Sequence, residues 1–160
     1  GFLGSFLLTE LLHKTKAKIY CLVRSEQPEL TEDKLKNVLK SASLWDESFK
    51  PRIIPIRGDL SQPLLGLSSE KFQQLADEID VIYHNGAWVH HASPYSLLKQ
   101  TNVLGTQEIL RFACQSKTKP VHFISTVSVF NFNEYSQVKV INEQDDLELG
   151  EVHNGGYSQS

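Results

Sequence analysis

Apolar positions recur along the chain in two alternating rhythms, and the alternation predicts the fold class. Phe2, Leu3, Phe6, Leu7, Leu11 and Leu12 return at helical spacing, which predicts a first helix with an apolar stripe on one face. A continuous apolar run follows at residues 18–24, KIYCLVR, and reads as a buried strand. Helical spacing resumes over 31–42 with Leu35, Val38 and Leu39 on one face. There Thr31 suits the N-cap, and Glu32 and Asp33 suit the first turn. The run RIIPI at 52–56 predicts a second short strand. Pro55 cannot donate to a ladder, so this strand belongs at an edge or ends there. Residues 68–79 predict a helix that buries Phe72, Leu75 and Ala76 and is capped by Ser68 or Ser69. DVIYH at 80–84 is a third strand. Residues 94–116 predict a long helix with a break near Thr101 and Asn102. Its buried face would carry Tyr95, Leu98, Val103, Leu104, Ile109, Leu110 and Ala113. The last run, VHFISTVSVF from Val121, predicts a buried strand whose far end carries hydroxyls. Strands separated by helices imply an α/β fold, a doubly wound parallel sheet.

Composition narrows the class. A chain of 160 residues is one domain or most of one. Hydrophobic residues make up 40% and charged ones 22%, enough for a real core. A net charge of −3 leaves no footprint for nucleic acid or an anionic membrane. No apolar run approaches the roughly 18 residues of a membrane span. Cys21 and Cys114 stand alone in apolar runs, as small core residues do, which points to the cytoplasm. The chain opens on glycine, as if cut from something longer.

In parallel sheets ligands bind outside the carboxyl ends of the strands, and those ends carry the candidate chemistry. Gly1 and Gly4 open the first helix in G-F-L-G. Glycines there let a backbone approach a pyrophosphate at a helix N-terminus, or simply allow a close helix–strand contact. Arg24 ends the first strand run, with no acid before Glu26. A guanidinium pairs with phosphate, which favours NADPH over NAD, whose ribose usually meets an acid at this point. Lys34 either reaches the same phosphate or is solvated. Asp59 either accepts from an adenine amino group, with Leu60 against the ring, or is a turn aspartate after Gly58. Asn85, Gly86 and Ala87 either let a flat ligand lie on the backbone or form a simple turn. Asn102 either holds a water or backbone group near the site or caps the second helical piece. His84, His90 and His91 lack the Cys, Asp or Glu that would complete a metal set. Ser125, Thr126 and Ser128 bring hydroxyls to the last strand end. Strand alternation puts Thr126 and Ser128 on one face and Ser125 on the other. The acids at 134, 143, 145, 146, 148 and 151 read as a solvated loop before GGYSQS and Tyr157.

Seven stretches together carry a likeness. GFLGSFLLTELL, IYCLVRS, GDLSQPLLGL, VIYHNGAWVH, NVLGTQEILRFA, FISTVSV and GGYSQS resemble the thioester reductase domains of non-ribosomal peptide and polyketide synthases and of carboxylic acid reductases. Those domains belong to the extended short-chain dehydrogenase superfamily. The resemblance implies a Rossmann-like sheet in strand order 3-2-1-4-5-6. Residues 1–160 would be a partial NAD(P)-binding domain without its first strand, first turn glycine and C-terminal substrate region. It implies NADPH-dependent release, as an aldehyde or alcohol, of an acyl or peptidyl thioester held by phosphopantetheine on a carrier protein. Tyr157 would be the proton donor, and Thr126 the hydroxyl on the carbonyl oxygen. Gly1, Phe2, Leu3 and Gly4 would form the cofactor turn, and Arg24 would contact the 2′-phosphate. Lys34, Asp59, Leu60, Asn85, Gly86, Ala87, Asn102 and Tyr157 complete the expected cofactor set. A Tyr-x-x-x-Lys motif would put lysine at position 161. A tyrosine hydroxyl is a poor acid at neutral pH unless such a cation lowers its pKa. Two other readings stand beside this one. One is another extended dehydrogenase, a sugar-nucleotide epimerase or dehydratase or a fatty acyl reductase. The other is a nucleotide-binding module without turnover. Without its first strand and the lysine, the 160-residue piece alone is expected to be inactive and poorly folded.

Overall fold

The computed structural model describes residues 1–27, 29–129, 140, 142–144 and 155–160. Helix α1 (Phe2–Lys14) leads into strand β1 (Ile19–Val23), helix α2 (Leu30–Ser41) and strand β2 (Ile53–Arg57). Helix α3 (Ser69–Glu78), strand β3 (Ile82–His84), helix α4 (Tyr95–Lys99) and helix α5 (Gly105–Cys114) follow. Strand β4 (Val121–Phe123) and helix α6 (Gly156–Gln159) complete the elements that matter here. The predicted rhythm is therefore the observed one, with most ends displaced by a residue or two.

All pairing is parallel. β1 pairs with β2 in the register Ile19 to Ile53 through Val23 to Arg57. β3 pairs with β4 from Ile82 to Val121 through His84 to Phe123. Among the described residues no ladder joins β1 to β3, so the strands form two half-sheets. Among the described residues β2 pairs only with β1, in the edge position that Pro55 suits. Alternation along the strands separates two cores. Ile19, Cys21 and Ile53 face Leu8 and Leu12 of α1, Leu39 of α2, and Phe49. Tyr20 and Ile56 face the other way, onto Phe72, Leu75 and Ala76 of α3 and Ile109, Phe112 and Ala113 of α5. Ile82 and Val121 of the second half-sheet join this second core. Helices thus cover both faces, as a doubly wound sheet requires.

Four expectations change. In α1 the buried face is Ser5, Leu8, Thr9 and Leu12, whereas Phe2, Leu3 and Phe6 are exposed. The small hydroxyl residues go inward because each satisfies itself on its own helix. Ser5 Oγ donates to the Gly1 carbonyl at 3.1 Å and Thr9 Oγ1 to the Ser5 carbonyl at 3.0 Å. Thr31 is not the N-cap of α2. Glu29 holds that position, and Thr31 lies one residue inside the helix, buried, with no partner for its hydroxyl among the described residues. In α5 Leu110 is exposed, and Phe112 takes the inward place, edge-on to Phe72 at 5.0 Å. Cys114 is exposed, while burial raises the Cys21 thiol to about 11 and keeps it protonated. Ser68 does cap α3, accepting from the Lys71 amide at 3.2 Å. The acidic stretch 131–154 lies almost wholly outside the described residues, though Glu143 is described and exposed. No helix among the described residues is long and apolar enough to cross a membrane.

Candidate functional site

The strand ends do carry the predicted residues, on two shelves. The first shelf follows β1 and β2. Arg24 is exposed just past Val23, and its guanidinium has no hydrogen-bonding or ionic partner among the described residues. Lys34 reaches across from α2, its Nζ donating to the Arg24 carbonyl at 2.6 Å. Two cations therefore meet at one strand end with no carboxylate paired to either among the described residues. Arg57, at the end of β2, holds the same loop by donating to the carbonyls of Ser25 at 3.0 Å and Glu26 at 3.3 Å. Sequence reasoning missed that role, since the acceptors are backbone groups.

Asp59 begins a loop that closes on itself. Its amide donates to the Leu65 carbonyl at 2.8 Å, and its Oδ1 accepts from the Ser61 amide at 2.8 Å and hydroxyl at 2.7 Å. Oδ1 thus serves as the turn acceptor, while the second oxygen makes none of these bonds. Leu64 and Leu65 both adopt left-handed backbone, with φ of 53° and 59°. Such conformations cost a non-glycine residue about 1–3 kcal/mol each and need outside support. Glu108 on α5 supplies it, accepting from the Leu64 amide at 2.8 Å. Leu60 is pressed against the second shelf. A Cβ on Gly86 would meet Leu60 Cδ1 at 2.5 Å, so a larger residue there would push the Leu60 side chain aside.

The second shelf follows β3 and β4. A Cβ on Gly4 of α1 would lie 3.0 Å from Asn85 Nδ2, so the opening turn backs directly onto the loop after β3. Gly1 is exposed and Ala87 is exposed, beside the exposed side chains of Phe2 and Leu3. His84 is buried, with Nε2 3.0 Å from Thr106 Oγ1. Thr106 donates its proton to the Asn102 carbonyl at 2.5 Å, which assigns the His84 Nε2 as donor to the threonine oxygen. Burial pushes the His84 pKa below its ordinary range.

The predicted break in the long helix is a π-turn, Gln100–Leu104, between α4 and α5. The widened turn brings Asn102 inward, and its side chain works as a backbone clamp, not as a cap. Oδ1 accepts from the Trp88 amide at 2.8 Å. Nδ2 donates to the Trp88 carbonyl at 3.2 Å and to Ser160 Oγ at 2.8 Å. Tyr157 sits half-buried on α6, which packs against α4 and against the 3₁₀ turn Val127–Val129. The His91 ring stands edge-on to the Tyr157 ring at 5.3 Å. Thr126 is half-buried immediately before that 3₁₀ turn. The strand alternation expected to sort its hydroxyl from Ser125 does not reach it. β4 ends at Phe123, a last ladder-like bond joins the Ile124 amide to the His84 carbonyl at 2.9 Å, and the chain then coils. The described residues contain no group of three or more His, Cys, Asp or Glu placed to share a metal ion. His90 is engaged instead with the Ser93 hydroxyl at 2.8 Å.

Comparison with known proteins fits this geometry. A family model of NAD-binding domains, described as male sterility protein, matches residues 1–160. The chain is 49% identical over 160 residues to a linear gramicidin synthase of Brevibacillus parabrevis, covering all of this chain and 3% of that protein. The solved terminal R domain from the myxalamid PKS-NRPS biosynthetic pathway superposes with a TM-score of 0.79 at 55% identity, over 81% of this chain and 33% of that one. A thiolation-reductase di-domain from an archaeal non-ribosomal peptide synthetase gives a TM-score of 0.69 at 29% identity, over 99% of this chain and 34% of that one. The chain thus spans about a third of these solved relatives and a small part of the curated one.

Proposed function

The chain belongs to the NAD-binding family described as male sterility protein, and on that premise we propose that it forms the nucleotide-binding part of an NADPH-dependent thioester reductase. The substrate would be an acyl or peptidyl group held by phosphopantetheine on a carrier protein, released as an aldehyde or reduced further to an alcohol. The observation that carries this reading is the docking of the Tyr157 helix against α4 and against the turn Val127–Val129, which follows Thr126. Similarity to a thiolation-reductase di-domain supports the carrier-protein partner.

The donor set suits a phosphorylated dinucleotide. Arg24 and Lys34 offer two cations without carboxylate partners among the described residues, the chemistry a 2′-phosphate needs. Asp59 and Leu60 are candidates for the adenine. Gly1, Phe2, Leu3, Gly4, Asn85, Gly86 and Ala87 offer exposed or small surfaces on which the remainder would lie. When bound, the cofactor supplies the hydride. The chain's own residues then handle the oxygen. As the thioester carbonyl is reduced, negative charge builds on its oxygen, and donors already aimed at that point stabilise it. Thr126 donates a hydrogen bond to this oxygen and Tyr157 protonates it, giving a hemithioacetal; its C–S bond then breaks, freeing the aldehyde and leaving the thiol on the carrier's phosphopantetheine.

The test uses the intact protein with an acyl-loaded carrier domain, following NADPH absorbance and aldehyde formation. Tyr157→Phe should abolish turnover while cofactor binding persists. Thr126→Val should lower kcat by about 100-fold with little change in cofactor affinity. Full activity in Tyr157→Phe would refute the assignment, and damage from Ser128→Ala but not Thr126→Val would move the oxygen-binding role.

A further inference from the structure

Asn102 spends both protons of its amide, one on the Trp88 carbonyl and one on Ser160, so it has no donor left for a cofactor. The partner it chooses on the far side is the informative one. Ser160 lies three residues after Tyr157, close to one turn further along the helical stretch. Its Oγ accepts from Asn102 Nδ2 at 2.8 Å and donates to the Tyr157 carbonyl at 3.1 Å. The Ser160 amide donates to the same carbonyl at 3.1 Å. A lone serine hydroxyl rotates freely. The Asn102 clamp is rigid by contrast, held by both polar backbone groups of Trp88 and by the π-turn that presents it.

We propose that Ser160 is a positioning residue for the reduction: its hydroxyl relays the fixed position of Asn102 to the backbone of Tyr157. The relay runs from the loop after β3 through Asn102 and Ser160 to the residue that delivers the proton. It sets where the Tyr157 hydroxyl stands without touching substrate or cofactor. The inference rests on the assignment of Tyr157 as proton donor.

The experiment compares Ser160→Ala, Ser160→Thr, Asn102→Ala and the Asn102→Ala/Ser160→Ala double variant in the intact protein. Readouts are kcat, the KM for NADPH and Tm. Ser160→Ala should lower kcat by about 10- to 100-fold, the scale of a misplaced reacting group, with KM for NADPH and Tm unchanged. Ser160→Thr retains the hydroxyl and should restore most of kcat. The double variant should be no slower than Asn102→Ala, since both changes break one relay. Wild-type kcat in Ser160→Ala, or multiplicative losses in the double variant, would overturn the relay. A fall in Tm matching the fall in kcat would reduce Ser160 to a structural role and also overturn it. Tyr157→Phe is the separate control. If it stays active, the underlying reading fails and the relay with it. If it is dead while Ser160→Ala is normal, only the relay fails.

Discussion

Gly156 offers the sharpest perturbation of the site, because the space around it is made of backbone. It is buried, immediately before Tyr157. A Cβ built there would collide with the Ser93 carbonyl oxygen and the Tyr95 amide nitrogen, and would lie 2.5 Å from the Pro94 carbonyl carbon. All three belong to the entry of α4, and none is a side chain that can swing aside. Restoring ordinary contact distances needs α6 to retreat from α4 by about 1 Å, the displacement at which catalytic geometry is lost. Gly156→Ala should therefore lower kcat by about 100-fold while costing only about 1–3 kcal/mol of stability, the usual cost of one overpacked methyl. The assay is steady-state reduction of a carrier-bound thioester by the intact protein, paired with urea unfolding. Cofactor KM should change far less than kcat, because Tyr157 is the one member of the expected cofactor set that α6 carries. A Gly156→Ala variant with normal kcat and normal stability would show that α6 does not hold Tyr157 in the working position, and the argument would fail.

Three further outcomes are expected. Arg24→Ala should raise the KM for NADPH about 10-fold or more and leave that for NADH nearly unchanged; equal effects on both cofactors would remove the 2′-phosphate role. Lys119→Met should destabilise by about 2–4 kcal/mol in denaturant titrations, because the buried ammonium donates to the carbonyls of Gln115 at 2.6 Å and Lys117 at 2.9 Å at the end of α5. A loss too small to measure would mean that desolvation of the charge cancels those bonds. His84 has a depressed folded pKa, so the unfolded chain binds its proton first as pH falls. Its contribution to stability is complete above the ordinary histidine value of about 6.5 and is lost as pH drops through the folded value. Tm of the wild type should fall across that window more steeply than Tm of His84→Gln, and parallel curves would contradict the assignment.

Periodicity locates the strands and helices from α1 to β4, because burial of alternating or helically spaced side chains is what both rhythms report. It chooses the wrong face of α1. Counting apolar residues favours Phe2, Leu3 and Phe6, and nothing in a hydropathy pattern reveals that Ser5 and Thr9 can bury themselves by bonding to carbonyls of their own helix. Arg24 and Asp59 stand just past β1 and β2, where the strand pattern puts them, and the contact of Lys34 from α2 with the Arg24 carbonyl is not visible in the pattern. The clamp on Trp88 and the Ser160 relay are not visible either, since their partners are backbone amides and carbonyls common to every residue type. The sequence allows Asn102 two roles, and the backbone-holding one is observed. The alternation that would sort the Thr126 hydroxyl stops at Phe123, so its role rests on the family likeness alone.

The two half-sheets carry a consequence for motion. β1–β2 with α1, α2 and Phe49 forms one closed set of contacts, whereas the second core is shared across the gap through Tyr20 and Ile56. Tyr20 also reaches Glu78 of α3, its hydroxyl 2.9 Å from the carboxylate. Among the described residues the halves are joined by a helical layer and not by a continuous ladder. A ligand long enough to touch Arg24 at one strand end and Asn85 at the other would fasten both halves at once. Its binding energy would then appear as coupled protection of amides in β1 and β3, elements that share no hydrogen bond among the described residues.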